Sequence, residues 1–309
     1  MKNIYEVQSA NKKQTLLIMV VFTLFMGLVF WVFANALSAF FGYRPGGLGF
    51  VGIGLIISGL TSFGGYWFSD KIVLATSGAR PLRKGEYPHL TQIVENLCLG
   101  SGIPRPALYV IDDSAPNAFA TGRDPKHGVV CVTTGLCEKL SRTELEAVVA
   151  HELGHIRSYD IRTMSVVSVL VGSVALIADW FLRMSFWGGG SRDRESGSSG
   201  ALFFALGVVF ALLSPLVASL LKLAISRRRE FAADAAAVSI TRQPSGLISA
   251  LKKISADQEP LEAANKATAP LYIASPFKEG DNRAVSWFSN LFNTHPPVSE
   301  RIKALNKMI

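Results

Sequence analysis

The heptapeptide AHELGHI, residues 150–156, decides how the rest of the chain is interpreted. In an α-helix, side chains four residues apart leave the same face one turn apart. His151 and His155 can therefore bind one metal ion, with Glu152 projecting beside them. A polar triplet of this kind also occurs by chance on surface helices. The surrounding sequence has to distinguish a catalytic metal site from such a helix.

The motif lies in the middle of a predicted helix, and the residues before it contain a signal for the start of that helix. In LSRTELEAVVAHELGHI, Ser141 followed by Glu144 is a capping box, so we predict that the helix begins there. Upstream, EYPHLTQIVENLCLGSGIP has apolar residues at helical spacing, and ALYVIDD, NAFATG and GVVCVTTG predict short strands. Downstream, GLISALKKI and SERIKALNKM predict amphipathic helices. The polar part of the chain is therefore of mixed α and β structure.

Four stretches of the 309-residue chain are apolar enough to suggest membrane spans. Residues 14–43 and 45–69 carry no charged side chain. The third stretch, 163–182, includes Asp179, and the fourth is 201–221. A helix needs about 20 apolar residues to cross a bilayer. We therefore predict about four transmembrane helices. The alternative for the last two is a buried hairpin that enters the membrane only in part. The first run is longer and bulkier than the apolar region of a signal peptide, so we predict an uncleaved anchor, with a cleaved signal peptide as the alternative.

The spans divide the chain into four predicted segments. They are an N-terminal transmembrane hairpin at 1–70, a polar segment at 71–162, a second transmembrane hairpin at 163–221 and a second polar segment at 222–309. An even number of crossings returns the chain to the same side, so the two polar segments can form one domain.

The net charge of +8 has a topological explanation. Basic residues such as Lys12, Lys71 and the run at 227–229 flank the predicted spans on one side, which places both termini and both polar segments in the cytoplasm. The basic residues are not interleaved with aromatic residues and form no nucleic-acid-binding module, so we exclude nucleic acid as a partner. The three cysteines are not spaced as metal ligands and are interpreted as small core residues.

A catalytic zinc site needs three protein ligands and one open position for water. We predict that Glu230, in RRREFAAD at 227–234, is the third ligand, because it lies on a predicted helix on the same side of the membrane. Asp234, one turn later, can accept the free ring N–H of a ligating histidine. The alternative for both carboxylates is a solvated or salt-bridged helix face beside the arginines.

In order and context, HELGH, EFAAD, NAFATG and THPPVSERI resemble the motifs of the HtpX-type membrane zinc endopeptidases, gluzincins related to the CAAX prenyl proteases. The resemblance covers nearly the whole chain. It implies a membrane α-helical protein with about four transmembrane helices and a cytoplasmic α+β zincin-like metalloprotease domain. The implied location is the inner membrane of a bacterium.

The resemblance also implies roles for individual residues. Glu152 is the expected general base, and Asp234 is expected to orient a ligating histidine. In the HPP-containing motif, His295 is expected to stabilise the oxyanion and Arg301 to bind substrate. The alternative for His295 is a loop histidine without a catalytic role. One zinc ion per chain is expected on three ligands: His151, His155 and Glu230.

Peptide hydrolysis at such a site needs an activated water and an extended substrate. Zinc lowers the pKa of bound water towards about 7 and polarises the scissile carbonyl, while Glu152 carries a proton from the water to the leaving amine. An edge strand at Asn117–Gly122 can pair with a substrate backbone and tolerate many side chains. The predicted substrate-binding residues there are Asn117, Ala118, Phe119 and Ala120. The alternative for Asn117 is a turn cap.

The partners that the resemblance implies are polypeptides, namely misfolded or damaged membrane proteins in a stress response, and the lipid bilayer. The sequence does not determine the oligomeric state. One alternative function is a zinc endopeptidase with a narrow substrate range, which matures one substrate or processes prenylated peptides. Another is a silent membrane scaffold that uses zinc only to fold. Glu152 argues against the scaffold, because structural zinc sites usually have a fourth protein ligand.

Overall fold

The protein is described from a computed structural model, which covers residues 4–41, 49–187, 227–265, 268–276 and 296–309. These residues form ten α-helices, four β-strands and three short 3-10 helices. The helices are α1 Ile4–Phe41, α2 Gly49–Trp67, α3 Ser69–Thr76, α4 Pro88–Ser101, α5 Thr134–Lys139, α6 Arg142–Ser158, α7 Asp160–Trp187, α8 Arg227–Thr241, α9 Pro244–Ala256 and α10 Val298–Leu305. The strands are β1 Arg80–Pro81, β2 Ala107–Ile111, β3 Ala118–Thr121 and β4 Val129–Thr133.

The described residues of three of the four apolar stretches lie mainly in α1, α2 and α7, and the stretch at 201–221 lies outside the described residues. The three helices pack together. The hydroxyl of Thr15 lies 2.9 Å from that of Thr163, and the hydroxyl of Thr23 lies 3.0 Å from that of Ser62. Among the helices of the described segments, none has both the length and the apolar character of a membrane span.

The four strands form one mixed sheet in the order β1-β2-β4-β3. Strands β2 and β4 are parallel, and the other neighbouring pairs are antiparallel. The three strands expected from the sequence are confirmed, and β3 lies at an edge of the sheet as predicted. The helix predicted before them is α4. Its apolar face is buried against the domain core as the spacing indicates: Leu90, Ile93, Val94, Leu97 and Cys98.

Helix α6 lies under the sheet and against α8. The predicted capping box is present, with the Ser141 N–H donating to Glu144 at 2.7 Å and the Glu144 N–H donating to Ser141 Oγ at 3.4 Å. The close approach of α6 and α8 depends on small residues. A Cβ at Gly154 would lie 3.1 Å from the Cβ of Ala236 and 3.3 Å from the Cα of Ala233. Glycine at this position therefore lets α8 bring its first turn next to the two histidines.

Candidate metal centre

The side chains of His151 and His155 face α8 from the interior of the protein, where both are buried. Their Nε2 atoms lie 3.2 Å apart, and the rings are nearly perpendicular. Glu230, in the first turn of α8, places Oε2 3.7 Å from the Nε2 of His151 and Oε1 3.5 Å from the Nε2 of His155. The structure therefore brings together the three residues that the sequence predicts as ligands. In the described part of the chain they form a group that could hold a metal ion.

The spacing of these atoms fits a tetrahedral zinc ion. With bonds of about 2.0–2.1 Å, two ligand atoms of a tetrahedral site lie about 3.3 Å apart. The observed separations of 3.2, 3.5 and 3.7 Å are close to that value. Two imidazoles and one carboxylate are also a donor set of catalytic zinc sites, which keep the fourth position for water. A divalent cation of this size fits the cluster.

The outward nitrogen of His151 contacts a buried carboxylate, as predicted for Asp234. Nδ1 of His151 lies 2.9 Å from Oδ1 of Asp234. Arg301 holds that carboxylate with two nitrogens, at 2.9 and 2.6 Å, and a third nitrogen donates to the backbone carbonyl of Ile273 at 3.0 Å. Because a carboxylate attracts the ring N–H, Asp234 fixes the tautomer of His151 in which the Nε2 lone pair faces the cluster.

The outward nitrogen of His155 has a partner that the sequence did not reveal. Nδ1 of His155 lies 3.3 Å from Oδ2 of Asp160, the first residue of α7. The other oxygen of Asp160 accepts a hydrogen bond from the amide of Asn11 on α1 at 2.7 Å. Arg229 lies 3.5 Å from the same oxygen. Asp160 therefore orients the ring of His155 as Asp234 orients the ring of His151. Asp160 is itself held by a hydrogen bond from the N-terminal helix α1.

The charges around the cluster also favour a divalent cation. With both histidines neutral, four carboxylates outnumber two guanidinium groups by two, in an interior that disfavours net charge. All six side chains are buried or nearly so: Glu152, Asp160, Glu230, Asp234, Arg229 and Arg301. An ion of charge +2 balances the remaining negative charge.

The pKa directions follow from the same environment. Burial lowers the pKa of His151, which favours the neutral imidazole that a metal requires. Burial acts in the same direction on His155, but the hydrogen bond to Asp160 and the charge of Glu230 raise its pKa to about 9. Asp160 acts from the Nδ1 side of the ring, and the charge of Glu230 acts from the Nε2 side, where it favours a positive charge. Burial alone would raise the pKa of Asp234, but hydrogen bonds with His151 and Arg301 hold it below its usual value.

Glu152 lies beside the cluster and is 2% exposed. Burial raises the pKa of its carboxyl group to about 7, and the charge of Glu230 acts in the same direction. The backbone amide of Ala120 on β3 lies near this carboxyl group and acts against the rise of its pKa. A carboxyl group with a pKa near neutrality can accept and release a proton at physiological pH. The contact with Ala120 also connects Glu152 to the predicted substrate strand.

Part of the outer edge of β3 pairs with the chain itself. The Ala118 carbonyl accepts a hydrogen bond from the Ile273 N–H at 2.9 Å, and the Asn117 side-chain amide donates to the Ala274 carbonyl at 3.1 Å. The ring of Phe119, the next residue along the strand, packs edge-on against the ring of Tyr272. Of the four predicted substrate-binding residues, Ala120 is the one with a contact to Glu152.

The remaining two predicted residues belong to the C-terminal motif. Arg301 lies in α10 and is 1% exposed, with its guanidinium group bonded to Asp234 and Ile273. His295 lies outside the described residues, so its predicted role in oxyanion stabilisation stays a prediction.

The chain is similar in sequence to known peptidases. A sequence model described as "Peptidase family M48" matches residues 85–309. The chain is 42% identical over 304 residues to the "Protease HtpX homolog" of Dictyoglomus thermophilum, covering 98% of this chain and 94% of that protein. It is 41% identical over 309 residues to the "Protease HtpX homolog" of Thermoanaerobacter pseudethanolicus, covering 99% and 98%. Among solved structures, Ste24p of S. mikatae is similar with a TM-score of 0.47 and 22% identity, covering 98% of this chain and 67% of that chain.

Proposed function

The chain belongs to peptidase family M48 and is a metallopeptidase, and we propose that it is a zinc endopeptidase of a bacterial cytoplasmic membrane that cuts misfolded or damaged membrane proteins. The observation that carries the proposal is the buried group of two imidazoles and one carboxylate, with Glu152 beside it. We assign one zinc ion per chain to three ligands: His151, His155 and Glu230.

The residues around the ligands have separate roles. When bound, zinc acidifies a water molecule and polarises the scissile carbonyl. Glu152 takes a proton from the attacking water and passes it to the leaving nitrogen as the C–N bond breaks. Asp234 and Asp160 hold the histidine rings in position. The contacts of Arg301 with Asp234 favour a positioning role over the predicted direct contact with substrate.

The substrate backbone is proposed to extend along β3. Ala120 lies at the edge of the sheet and near Glu152, so a peptide paired with this part of the strand would cross the cluster. Asn117, Ala118 and Phe119 would then shape the strand rather than contact the scissile bond. Backbone pairing supports activity on many sequences, as expected for an enzyme that removes damaged proteins. We retain stabilisation of the oxyanion as the proposed role of His295.

The proposed membrane location rests on the N-terminal helices. Eight large apolar side chains of α1 and α2 are each more than half exposed, although soluble monomers rarely expose large apolar patches. They are Leu16, Leu17, Leu24, Leu28, Ile53, Ile56, Leu60 and Phe63. We propose that this surface faces lipid, with both termini in the cytoplasm. A periplasm-active reporter fused near Gly197 tests the topology, and an inactive reporter there would contradict four spans.

Cleavage assays on detergent-purified protein test the enzymatic proposal. Glu152→Gln keeps the size of the side chain but removes the base. We expect wild type and variant each to retain about one zinc ion. The rate of casein cleavage should be more than about 1,000-fold lower in the variant, because it lacks the group that carries the proton. Lys252→Gln, an exposed change on α9, is the matched control and should cleave as wild type. Zinc in both proteins without cleavage by either would instead favour the scaffold.

A further inference from the structure

A recessed surface that does not include the three candidate metal ligands is lined by residues from α3, β2 and the segment that leads into β4. It is a groove of about 760 Å³. Its apolar lining residues include Leu74, Leu108 and Val129, and we call them the apolar floor. One acidic residue, Asp70, lines it. Its basic lining residues define what we call the basic groove: Lys71, Arg83, Lys84, Arg105, Lys126 and His127.

Most of the positive charge in the basic groove is available to a ligand. Arg105 and His127 form ion pairs, with Glu95 at 3.1 Å and Asp124 at 2.8 Å. Within the part of the chain that the structure describes, Lys71, Arg83, Lys84 and Lys126 form no ion pair and are exposed. Four unpaired cations around an apolar floor create a strong local positive potential. Such a surface fits an anionic group attached to an apolar body.

The position of the basic groove points to the kind of ligand. Asp70 and Lys71 lie in the first turn of α3, which begins directly after α2. The guanidinium group of Arg123, in the loop before Lys126, lies 4.8 Å from the centre of the Trp67 ring at the end of α2. The groove therefore opens where the exposed apolar surface of α1 and α2 ends. Aromatic and basic residues at such a boundary are typical of the lipid headgroup level.

We propose that the basic groove binds the phosphate headgroup of an anionic phospholipid. Lys84 and Lys126 contact the phosphate, and the apolar floor accommodates the start of an acyl chain. Clusters of Lys and Arg beside membrane helices are attracted to anionic lipid at about 1 kcal/mol per residue. This proposal rests on the membrane location proposed above. A soluble phosphate would not need the apolar floor, and an acidic peptide would not need the position beside α2.

Lipid binding by the detergent-purified full chain tests the proposal. Native mass spectrometry counts the lipid molecules retained after titration with a short-chain phosphatidylglycerol or with phosphatidylcholine of the same chain length. We expect at least about tenfold tighter binding of phosphatidylglycerol. Inorganic phosphate and a poly-glutamate peptide are added as competitors. Displacement of the lipid by either at equal concentration, or equal binding of the two lipids, would overturn the proposal.

Matched charge variants locate the binding. The double variant Lys84→Glu/Lys126→Glu should lose at least about tenfold of its phosphatidylglycerol affinity. The control Lys252→Glu/Lys307→Glu changes the net charge equally at two exposed lysines that do not line the groove. It should bind as wild type. Equal losses in both doubles would show general charge attraction and refute a specific site.

The remaining measurements separate this proposal from the proposed function. Casein cleavage and zinc content are measured on the same preparations and are expected to be unchanged in both double variants. Alkaline extraction of cell membranes tests the location. Release of wild type into the soluble fraction would contradict the membrane location, whereas retention without a preference for phosphatidylglycerol would contradict only the basic groove as a lipid site.

Discussion

The two histidines of the candidate metal centre are supported in different ways. On the side of His151, Asp234 is bonded to the fully buried Arg301, so a charged pair from α8 and α10 holds the ring. On the side of His155, Asp160 accepts from the neutral amide of Asn11 and has Arg229 at 3.5 Å. The support of His151 is an ion pair in which two nitrogens of Arg301 contact Asp234, and both residues belong to the C-terminal helices α8 and α10. The support of His155 depends on α1 and the first turn of α7.

Helix α1 therefore contributes to the candidate metal centre as well as being a candidate anchor. Asn11 donates through one amide nitrogen to both Asp160, at 2.7 Å, and the Ser158 carbonyl at the end of α6, at 2.8 Å. The amide therefore fixes the start of α7 relative to the metal helix. The Arg301 side depends on buried charge and the Asn11 side on a hydrogen bond, so the two sides should respond differently to substitution.

The largest expected effect is on the Arg301 side. Arg301→Ala leaves Asp234 buried without its charge partner, so we expect the free energy of unfolding to fall by about 3–5 kcal/mol. Arg229→Ala is the matched change on the other side. It should lower the free energy of unfolding by about 1 kcal/mol. The contact of Arg229 with Asp160 is long, at 3.5 Å, and the carboxylate still accepts the hydrogen bond from Asn11. Denaturant titration in detergent, followed by circular dichroism, measures both.

Two outcomes bear on this prediction. Asp234→Ala/Arg301→Ala should recover part of the loss, because the unpaired carboxylate is gone. Equal destabilisation by Arg301→Ala and Arg229→Ala would remove the proposed difference between the two sides.

An intermediate effect is expected when each carboxylate becomes an amide. Asp234→Asn and Asp160→Asn keep the side-chain shape but weaken the hold on the histidine ring, and such changes raise the dissociation constant for metal by about 10- to 100-fold. Asp234→Asn should lie near the upper value, because its contact is shorter, 2.9 against 3.3 Å, and Arg301 also loses a charge partner. Competition with a fluorescent zinc chelator measures both constants. Unchanged affinity in Asp160→Asn would mean that Asp160 contributes packing alone.

Local patterns explain why so much of the domain could be predicted from the sequence. The apolar spacing of α4, the alternating strands and the Ser141–Glu144 capping box are determined by residues a few positions apart. HExxH places two ligands on one helix face for the same reason. Glu230 could be predicted as the third ligand because a catalytic zinc ion needs three protein ligands. Asp234 could be predicted as its neighbour because it lies one turn later on the same helix.

The support of His155 could not be predicted, for identifiable reasons. Asn11 and Asp160 are separated by 149 residues, so no local pattern joins them. Asp160 faces back towards His155 because Tyr159 ends α6 in the left-handed conformation, with φ of 63°. Residues other than glycine and asparagine rarely adopt this conformation, so the sequence does not signal the turn. The pairing of Ile273 with Ala118 on β3 is equally non-local.

The smallest expected effect tests the contribution of α1. Asn11→Ala removes the hydrogen bond to Asp160, so the carboxylate holds His155 less firmly. A hydrogen bond to a buried group contributes about 1 kcal/mol, so zinc affinity should fall by about fivefold, as measured by the same chelator competition. Gln8→Ala is the control on the same helix, because Gln8 donates to the Arg157 carbonyl at 2.8 Å rather than to Asp160.

The comparison of Asn11 with Gln8 separates support of the metal from support of the fold. Each substitution removes one hydrogen bond between α1 and the end of α6, and Asn11→Ala also removes the one to Asp160. A purely structural role for α1 would lower thermal stability in both variants and leave zinc affinity equal. A loss of affinity confined to Asn11→Ala would instead mean that α1 acts on the metal through Asp160.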